Sequence, residues 1–328
     1  MKIPTSYPRM TAIAVLAAGL IGCGGGGGSS GGGPAGLTQP PSTPVAVTAT
    51  NATQVSSTAL SPATGGGGVL STVVGAETTA APKPRALTRT LLAVARDAKE
   101  RLSAPQSVVG VAQTLSCTVS GSVTVDASAD GTSATISFNA CSDIAGETIS
   151  GSASVTGATA ASDGSSFSAT FSIDVTFTET GIAPLRVVGG FSINETCDTT
   201  TFDCSGTFTG TSLGAAQGTE TWFITNFTIT EVELAGTITI TVNYTVSSTA
   251  LNGSVTVITS TPLQMLTSAQ HPYTGVVIIT GTGNSKVRVT VLGSDPTAAD
   301  QVQIEVDANG DGTYETSTFY SWSTLDAL

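Results

Sequence analysis

The chain has 328 residues, of which 10% are charged and 5% are aromatic, and its formal net charge is −12. Typical soluble proteins carry about 25% charged residues, so Ser, Thr, Gly and Asn must keep this chain soluble. Residues 104–328 contain twenty acidic and three basic residues. This balance excludes nucleic-acid binding, because too few cations are present to hold a phosphate backbone.

The first 22 residues have the three parts of an export signal. Lys2 and Arg9 form a positively charged start, and an apolar run from Met10 to Ile21 follows it. The run has about 12 residues, whereas a membrane-spanning helix needs roughly 20. Gly22 supplies the small residue before a cleavage site. The pattern predicts a signal peptide over residues 1–22.

The four residues Leu20-Ile21-Gly22-Cys23 resemble the lipobox of bacterial lipoproteins. The resemblance implies that the Cys23 thiol receives a diacylglycerol, that the signal is cleaved before it, and that the new amino group takes a further acyl chain such as palmitate. Several acyl chains anchor a protein stably where one does not. Gly24 stands where some lipoproteins carry an inner-membrane retention Asp, which favours the outer membrane. A plain secretory signal with an incidental cysteine is the alternative.

Residues 23–84 consist almost entirely of Gly, Ser, Thr, Ala and Pro. Such a chain cannot bury enough apolar surface to offset the entropy of ordering it. The composition predicts a disordered tether between the lipid and a folded domain.

Residues 85–103 form the one segment with clear helical periodicity. Leu87, Leu91, Val94, Ala98 and Leu102 recur at spacings of three and four, with basic residues between them. The spacing predicts an amphipathic helix that covers an edge of the following domain or lies on an anionic membrane surface.

Residues 104–328 alternate between apolar and polar residues with a period of two. In "SFSATFSIDVTFTET" the residues from Phe167 to Phe177 at odd positions are apolar, and turn signals such as Asn252-Gly253 separate the runs. The pattern predicts an all-β domain of ten to thirteen antiparallel strands covered on one face. Because two runs approach 15 residues, we expect a curved meander sheet, either a half-barrel or a sandwich.

Beyond Cys23 the chain has four cysteines, an even number that predicts two disulfides in an exported protein. Pairing Cys197 with Cys204 across a hairpin places Ile193 opposite Phe208 and Phe191 opposite Gly210, with apolar residues on one face. Pairing Cys117 with Cys141 requires a β-bulge or a strand that ends before Cys141, because alternation alone puts Cys141 on the wrong face.

Catalytic residues are hard to assemble from this sequence. His271 is the only histidine and lies in the loop-like "AQHPYTG", so a nucleophile has one candidate base. Glu231 and Glu233 are predicted to share a solvated strand face, opposite Val232 and Leu234. "GTGNSK" at 281–286 lacks the spacing of a phosphate-binding loop and is predicted to be a turn.

The stretch "DANGDG" near the end of the chain has the most specific polar chemistry. Asp307, Asn309, Asp311 and Glu315 resemble the start of an EF-hand or dockerin-type calcium loop, in which oxygen ligands alternate around a Gly turn. The twelfth position is Thr318 and not Glu. Two interpretations remain: a hairpin turn without metal, or a weak calcium site with these four residues as ligands. No other cofactor is predicted.

Three classes of function remain open. The first is a non-catalytic envelope module that binds a protein or glycan partner or has a structural role. The second is a carrier of a lipid or other hydrophobic ligand, by fold-level analogy with lipoprotein carriers; the third, an enzyme, is disfavoured. The terminal "VDANGDGTYE" hairpin also looks like those of uncharacterised bacterial lipoproteins, a resemblance that implies no activity.

The lipobox predicts that acylation depends on one sulfur atom. Cells grown with an alkyne fatty acid should label the wild-type protein and leave Cys23→Ala unlabelled, because the thioether to diacylglycerol cannot form without the thiol. Equal labelling of the two proteins would contradict the lipobox.

Overall fold

The computed structural model describes residues 36–64 and 112–325, apart from short gaps at 129–131, 143–144, 162, 164, 182, 202, 267–268, 270 and 294–300. The predicted export signal, Cys23 and the predicted helix at 85–103 therefore lie outside the described residues. In the part of the chain that is described, no helix is both long enough and apolar enough to cross a membrane.

Fourteen strands make up one antiparallel sheet within these residues. They are β1 (Gln113–Ser116), β2 (Ser120–Ala127), β3 (Ala134–Ser142), β4 (Glu147–Ala160), β5 (Ser166–Glu179), β6 (Leu185–Cys197), β7 (Cys204–Gln217), β8 (Glu220–Leu234), β9 (Thr237–Ser248), β10 (Gly253–Leu266), β11 (Thr274–Thr280), β12 (Lys286–Val291), β13 (Gln301–Asp307) and β14 (Thr316–Ser321). Each strand pairs with its neighbours in chain order, so the predicted meander is confirmed, with one strand more than the predicted maximum. The sheet is open and single, and not two sheets packed as a sandwich.

One face of the sheet, which we call the inner face, carries most of the buried apolar residues of the long strands. Val188 of β6 and Phe223 of β8, which both pair with Gly214, are buried on the other face. On β5 the residues from Phe167 to Val175 at odd positions are buried, as the alternation predicted. Phe171 stacks on Phe191 of β6 with ring centroids 4.9 Å apart, and Phe208 of β7 lies 6.4 Å from Phe191. The inner face is therefore a continuous core that crosses strand boundaries.

A helix, α1 (Ala52–Thr64), packs on the inner face over β9, β10, β12 and β13. Its buried residues Ala52, Val55, Ser56, Ala59 and Leu60 follow helical spacing. The Tyr244 hydroxyl donates a 2.6 Å hydrogen bond to the Ala59 carbonyl oxygen, and burial raises the pKa of Tyr244. A second, four-residue helix, α2 (Trp322–Leu325), closes the described chain next to α1, where the Ser57 hydroxyl donates to the Leu325 carbonyl.

The prediction of a disordered tether over 23–84 is wrong for residues 36–64. Val47, Val55 and Ala59 are fully buried, and the backbones of Thr43 and Val45 form hydrogen bonds with Ser254 of β10 and with Thr282 of the turn between β11 and β12. The prediction followed from composition. A segment of small residues without a continuous hydrophobic stretch can still pack closely against a surface formed by other parts of the chain.

The Cys197–Cys204 disulfide closes the β6–β7 hairpin, as predicted. The two cysteines are direct cross-strand partners with Cα atoms 4.1 Å apart, and Ile193 pairs with Phe208. The predicted pairing of Phe191 with Gly210 is not observed, because the register shifts between Gly190 and Ser192. A local bulge, which alternation alone does not reveal, interrupts this hairpin.

The Cys117–Cys141 disulfide is also present, and a β-bulge makes it compatible with the register. The pairing of β3 with β4 shifts between Phe138 and Cys141, and Ala140 has a φ of 45°. The extra residue turns Cys141 inward, where it is buried together with Cys117. Of the two predicted routes, the bulge is the one used, since β3 continues to Ser142.

The two disulfides should contribute unequally to stability, because they close loops of 24 and 7 residues. Loop-closure entropy gives about 3.4 kcal/mol for the longer loop and about 2.4 kcal/mol for the shorter. We expect Cys117→Ala/Cys141→Ala to lose about 1 kcal/mol more unfolding free energy in urea titrations than Cys197→Ala/Cys204→Ala. Non-reducing peptide mapping of the wild type checks both bonds, and an equal or reversed loss would contradict the ranking.

Candidate functional site

The turn between β13 and β14 brings three carboxylates together. Asp307, Asp311 and Glu315 each place an oxygen within 4.8 Å of the oxygens of the other two. Asp307 is fully buried at the end of β13, whereas Asp311 and Glu315 are exposed. Three hard oxygen donors in this arrangement form a cradle suited to a hard divalent cation.

Backbone amides already bond to these side chains. The amide nitrogens of Gly310 and Gly312 donate to Asp307 over 2.7 and 2.9 Å. The Asp311 side chain accepts a 2.7 Å bond from the Thr313 amide, and this bond, with a smaller contribution from Asn309, lowers the pKa of Asp311. Positive φ values at Gly310 and Gly312 permit the tight turn. The loop is therefore a well-formed turn in its own right.

The structure brings together three of the four predicted calcium ligands. Asn309 instead uses its side-chain oxygen to accept from the Asp311 amide and its side-chain nitrogen to donate to Asp311. Thr318, at the twelfth position, lies in β14 opposite Ile304 and outside the loop. The Glu315 carboxylate reaches back to the Ala308 amide over 3.0 Å. A cation held here would have three carboxylates as its protein ligands.

The second cluster of metal-ligand residue types among the described residues contains Glu195, Cys197 and Cys204. Both cysteines are consumed by their disulfide, so no thiolate is available to bind a metal. This cluster is a structural feature of the β6–β7 hairpin.

The prediction that Glu231 and Glu233 share a solvated face is wrong. Glu231 is 2% exposed, whereas Val232 is 37% and Leu234 is 61% exposed. The chain turns at Ala235-Gly236, both with positive φ, and pairs Glu231 with Ile240. Because the turn has two residues, odd-numbered residues of β8 pair with even-numbered residues of β9. The inward-facing residues are therefore odd-numbered in β8 and even-numbered in β9, and Glu231 faces inward.

A further buried carboxylate, Glu195, was missed by the sequence analysis. It pairs with Gly206, which in turn pairs with Glu231 on the other side. Both glutamates are on the inner face and are at most 6% exposed. Both carboxylates are therefore shielded from the solvent, and a substrate dissolved in it does not reach them.

His271 precedes β11 in a loop, as predicted. Its ring stacks on Trp322 of α2, with centroids 5.1 Å apart and planes 5° from parallel. The Trp322 indole N–H also donates to the Pro272 carbonyl oxygen over 3.3 Å. These contacts give the imidazole a packing role between the loop and α2.

The "GTGNSK" stretch is a turn between β11 and β12, as predicted. It contains a short 3-10 segment at Thr282–Asn284, with positive φ at Gly283 and Asn284. The Gly281 amide donates to the Ser285 carbonyl across the turn.

The outer side of β5 to β9 carries a surface rich in Ser and Thr, which we call the hydroxyl face. Cross-strand pairing aligns it in four rows of five residues: Ser166, Thr196, Ser205, Val232 and Thr239; Ser168, Asn194, Thr207, Thr230 and Thr241; Thr170, Ser192, Thr209, Thr228 and Asn243; Ser172, Gly190, Ser212, Thr225 and Thr245. Sixteen of these twenty residues are Ser or Thr, and none carries a charge. All twenty residues are exposed or partly exposed, although the hydroxyl oxygen of Ser212 itself is buried.

The hydroxyl face is regular in both directions. Neighbouring strands lie about 4.8 Å apart, and alternate residues along a strand lie about 6.7 Å apart. Some hydroxyls bond to their cross-strand partners, as Thr170 does to Ser192 over 2.9 Å. Sequence periodicity predicted a polar face, but only the pairing register shows that the hydroxyls align in rows.

An ion pair borders the hydroxyl face at one end. Arg186 donates two hydrogen bonds to Asp174, of 2.9 and 2.8 Å. These bonds lower the pKa of Asp174 and raise that of Arg186. The two charges neutralise each other, so they add no net charge to the border.

Comparison of the chain with protein-family models and with curated proteins gives no match.

The carboxylate cluster predicts that calcium stabilises the fold. At a dissociation constant of about 10⁻⁴ to 10⁻³ M, about 10 mM calcium adds roughly 1.4–2.7 kcal/mol of stability. The melting temperature should then rise by roughly 3–10 °C, because 1 kcal/mol shifts a domain of this size by about 2–4 °C. Differential scanning fluorimetry measures this shift.

Two variants with the same chemical change separate binding from general charge effects. Glu315→Gln removes a cluster carboxylate but keeps an oxygen that can accept from Ala308, and should abolish the calcium response. Glu305→Gln alters a carboxylate bonded to Arg288, and should keep the response. A melting temperature that calcium does not move, with magnesium and ionic-strength controls, would leave only the turn.

Proposed function

We propose that this protein is a lipid-anchored, non-catalytic module of the bacterial cell envelope that binds a partner through the hydroxyl face. Its membrane anchor is the acylated Cys23, and its partner is a neutral, hydroxyl-rich polymer, which in an envelope is a glycan. The observation that carries the proposal is the alignment of sixteen Ser and Thr residues in an uncharged surface across five strands.

The chemistry of this surface favours a neutral polymer. A hydroxyl both donates and accepts hydrogen bonds, and so do the hydroxyls of a sugar. The net charge of −12 repels polyanions at long range, whereas an uncharged chain pays no such penalty. The two disulfides support an extracytoplasmic location, where such a partner is found.

The same chemistry sets the expected strength of binding. Each neutral hydrogen bond contributes only about 0.5–1.5 kcal/mol after exchange with water. The twenty positions of the hydroxyl face include no aromatic ring on which a sugar could stack. Binding therefore has to be the sum of many weak contacts, which a polymer provides and a monosaccharide does not.

Removing hydroxyls without changing shape tests the proposal. Thr209→Val/Thr228→Val replaces two exposed cross-strand partners at the centre of the hydroxyl face, and keeps the β-branched shape that suits a strand. Thr316→Val/Thr318→Val makes the same change on exposed positions of β14. Retention on immobilised neutral polysaccharides and on purified envelope glycans is measured for the lipid-free domain.

We expect the wild type and the β14 variant to bind a neutral polymer, and Thr209→Val/Thr228→Val to bind it about tenfold more weakly, as the loss of two bonds of about 0.7 kcal/mol each implies. Equal retention of all three proteins would contradict the role of the hydroxyl face. A lipid that co-purifies with the wild type in native mass spectrometry would instead favour a carrier of hydrophobic ligands.

A further inference from the structure

The described chain begins beside one end of the sheet, and this end can be defined by its turns. The Arg186 end contains the turns at 180–184, 218–219, 249–252, 281–285 and 308–315. The opposite end, the Cys204 end, contains the turns at 161–165, 198–203 and 235–236. The longest strands between the two ends have 14 or 15 residues, which corresponds to about 46–50 Å.

Residues 36–48 are fixed along the Arg186 end. The first contact joins Gly36 to β6, where the Arg186 guanidinium donates a 3.0 Å bond to the Gly36 carbonyl oxygen. The φ of Gly36 is 95°, a left-handed conformation that favours glycine.

The next contacts join the same segment to β10. The Ser254 amide donates to the Thr43 carbonyl and the Val45 amide donates to the Ser254 carbonyl, each over 3.0 Å. The Ser254 hydroxyl donates a 2.7 Å bond to the Ser42 carbonyl. The segment thus adds a short parallel bridge beside the start of β10.

The last contacts join the segment to the turn between β11 and β12. The Thr282 amide donates to the Val45 carbonyl over 2.8 Å, and the Val47 amide donates to the Ser285 hydroxyl over 2.9 Å. The Asn284 side-chain amide of this turn also donates to the Gly310 carbonyl oxygen, in the turn between β13 and β14. The segment is therefore bonded to the Arg186 end at three separate places before α1 begins.

The length of chain between the lipid and these contacts is short. Residues 24–35, twelve residues, separate Cys23 from Gly36. Thirteen Cα–Cα steps can span at most about 45 Å when fully extended. A flexible Gly-rich chain of this length has a root-mean-square reach of about 20 Å, which is less than half the length of the sheet along its strands.

From these contacts and this length we infer that the Arg186 end is the membrane-proximal end and that the Cys204 end points away from the bilayer. The inference rests on the proposed anchoring through Cys23. The partner of the Arg186 end is thus a lipid surface, and the hydroxyl face stands with its strands directed outward from that surface.

Charges at the Arg186 end keep it beside the bilayer and not inserted in it. Glu147 and Glu179 are cross-strand partners there, and Glu220 begins β8. These carboxylates are costly to bring into an apolar environment, and an anionic membrane surface repels them. The expected arrangement is a short tether that holds this end near the headgroups.

Energy transfer from the protein to the lipid surface tests the orientation. A donor fluorophore is introduced as a non-natural amino acid at Thr219 in the Arg186 end or at Thr200 in the Cys204 end, two exposed turn positions. The full-length acylated protein is reconstituted in phosphatidylcholine vesicles that contain an acceptor-labelled headgroup lipid.

We expect transfer from Thr219 to be at least about twofold more efficient than from Thr200, because the two turns differ in height by about the length of a strand. Equal transfer, or stronger transfer from Thr200, would overturn the orientation. A variant with about twelve additional Gly and Ser residues after Ala35 should lower transfer from Thr219, since it lengthens the tether. Unchanged transfer in that variant would likewise contradict the inference.

The failure of the anchor itself has a different signature. If Cys23 is not acylated, the protein does not float with the vesicles and neither donor transfers energy. If it floats and both donors transfer equally, the anchor is present and only the orientation is wrong.

Discussion

One-sided burial of a single antiparallel sheet is the constraint on which the structure depends. The buried apolar residues of the long strands lie on the inner face apart from Val188 and Phe223, and a shift of one residue would turn the rest outward. The long strands meet this requirement by inserting bulges where the alternation fails. The bulge at Ala140 turns Cys141 inward, and a positive φ at Asn226 accompanies the shift between Thr225 and Thr228 in β8.

The same constraint explains why the N-terminal segment is ordered. A sheet covered on one face needs another element over its apolar residues, and α1 supplies it across β9 to β13. Backbone bonds to Ser254 and Thr282 lead the chain into the helix. Gly253 and Gly281 make this approach feasible, because a Cβ atom at either position would collide with the segment. The small residues at these positions thus allow the backbone of the N-terminal segment to pack closely against the backbone of the sheet and its turn.

The outer surface follows from what remains after the inner face is filled. Ser and Thr suit exposed strand positions, since they are compatible with the strand conformation and with water. Their number leaves the hydroxyl face uncharged, whereas carboxylates occupy turns at both ends of the sheet, among them Glu220 and Asp311 at the Arg186 end and Asp163 and Asp198 at the Cys204 end. The hydroxyl face therefore lies between two ends of the sheet that both carry charged turns.

The amino-acid sequence by itself determined the all-β class, the meander, the alternation on β5 and both disulfide pairings, because these depend on period-two patterns and on cysteine arithmetic over short distances. It also identified the "DANGDG" turn, whose residues are adjacent in the chain. It did not determine the order of residues 36–64 or the burial of Glu231. Those depend on the tertiary structure: α1 is stabilised by strands some 180 residues later, as the Tyr244–Ala59 bond shows, and the face that Glu231 occupies is decided by a two-residue turn and a bulge. The hydroxyl rows likewise exist only once five strands are in register, since alignment across strands is a property of pairing and not of any one segment.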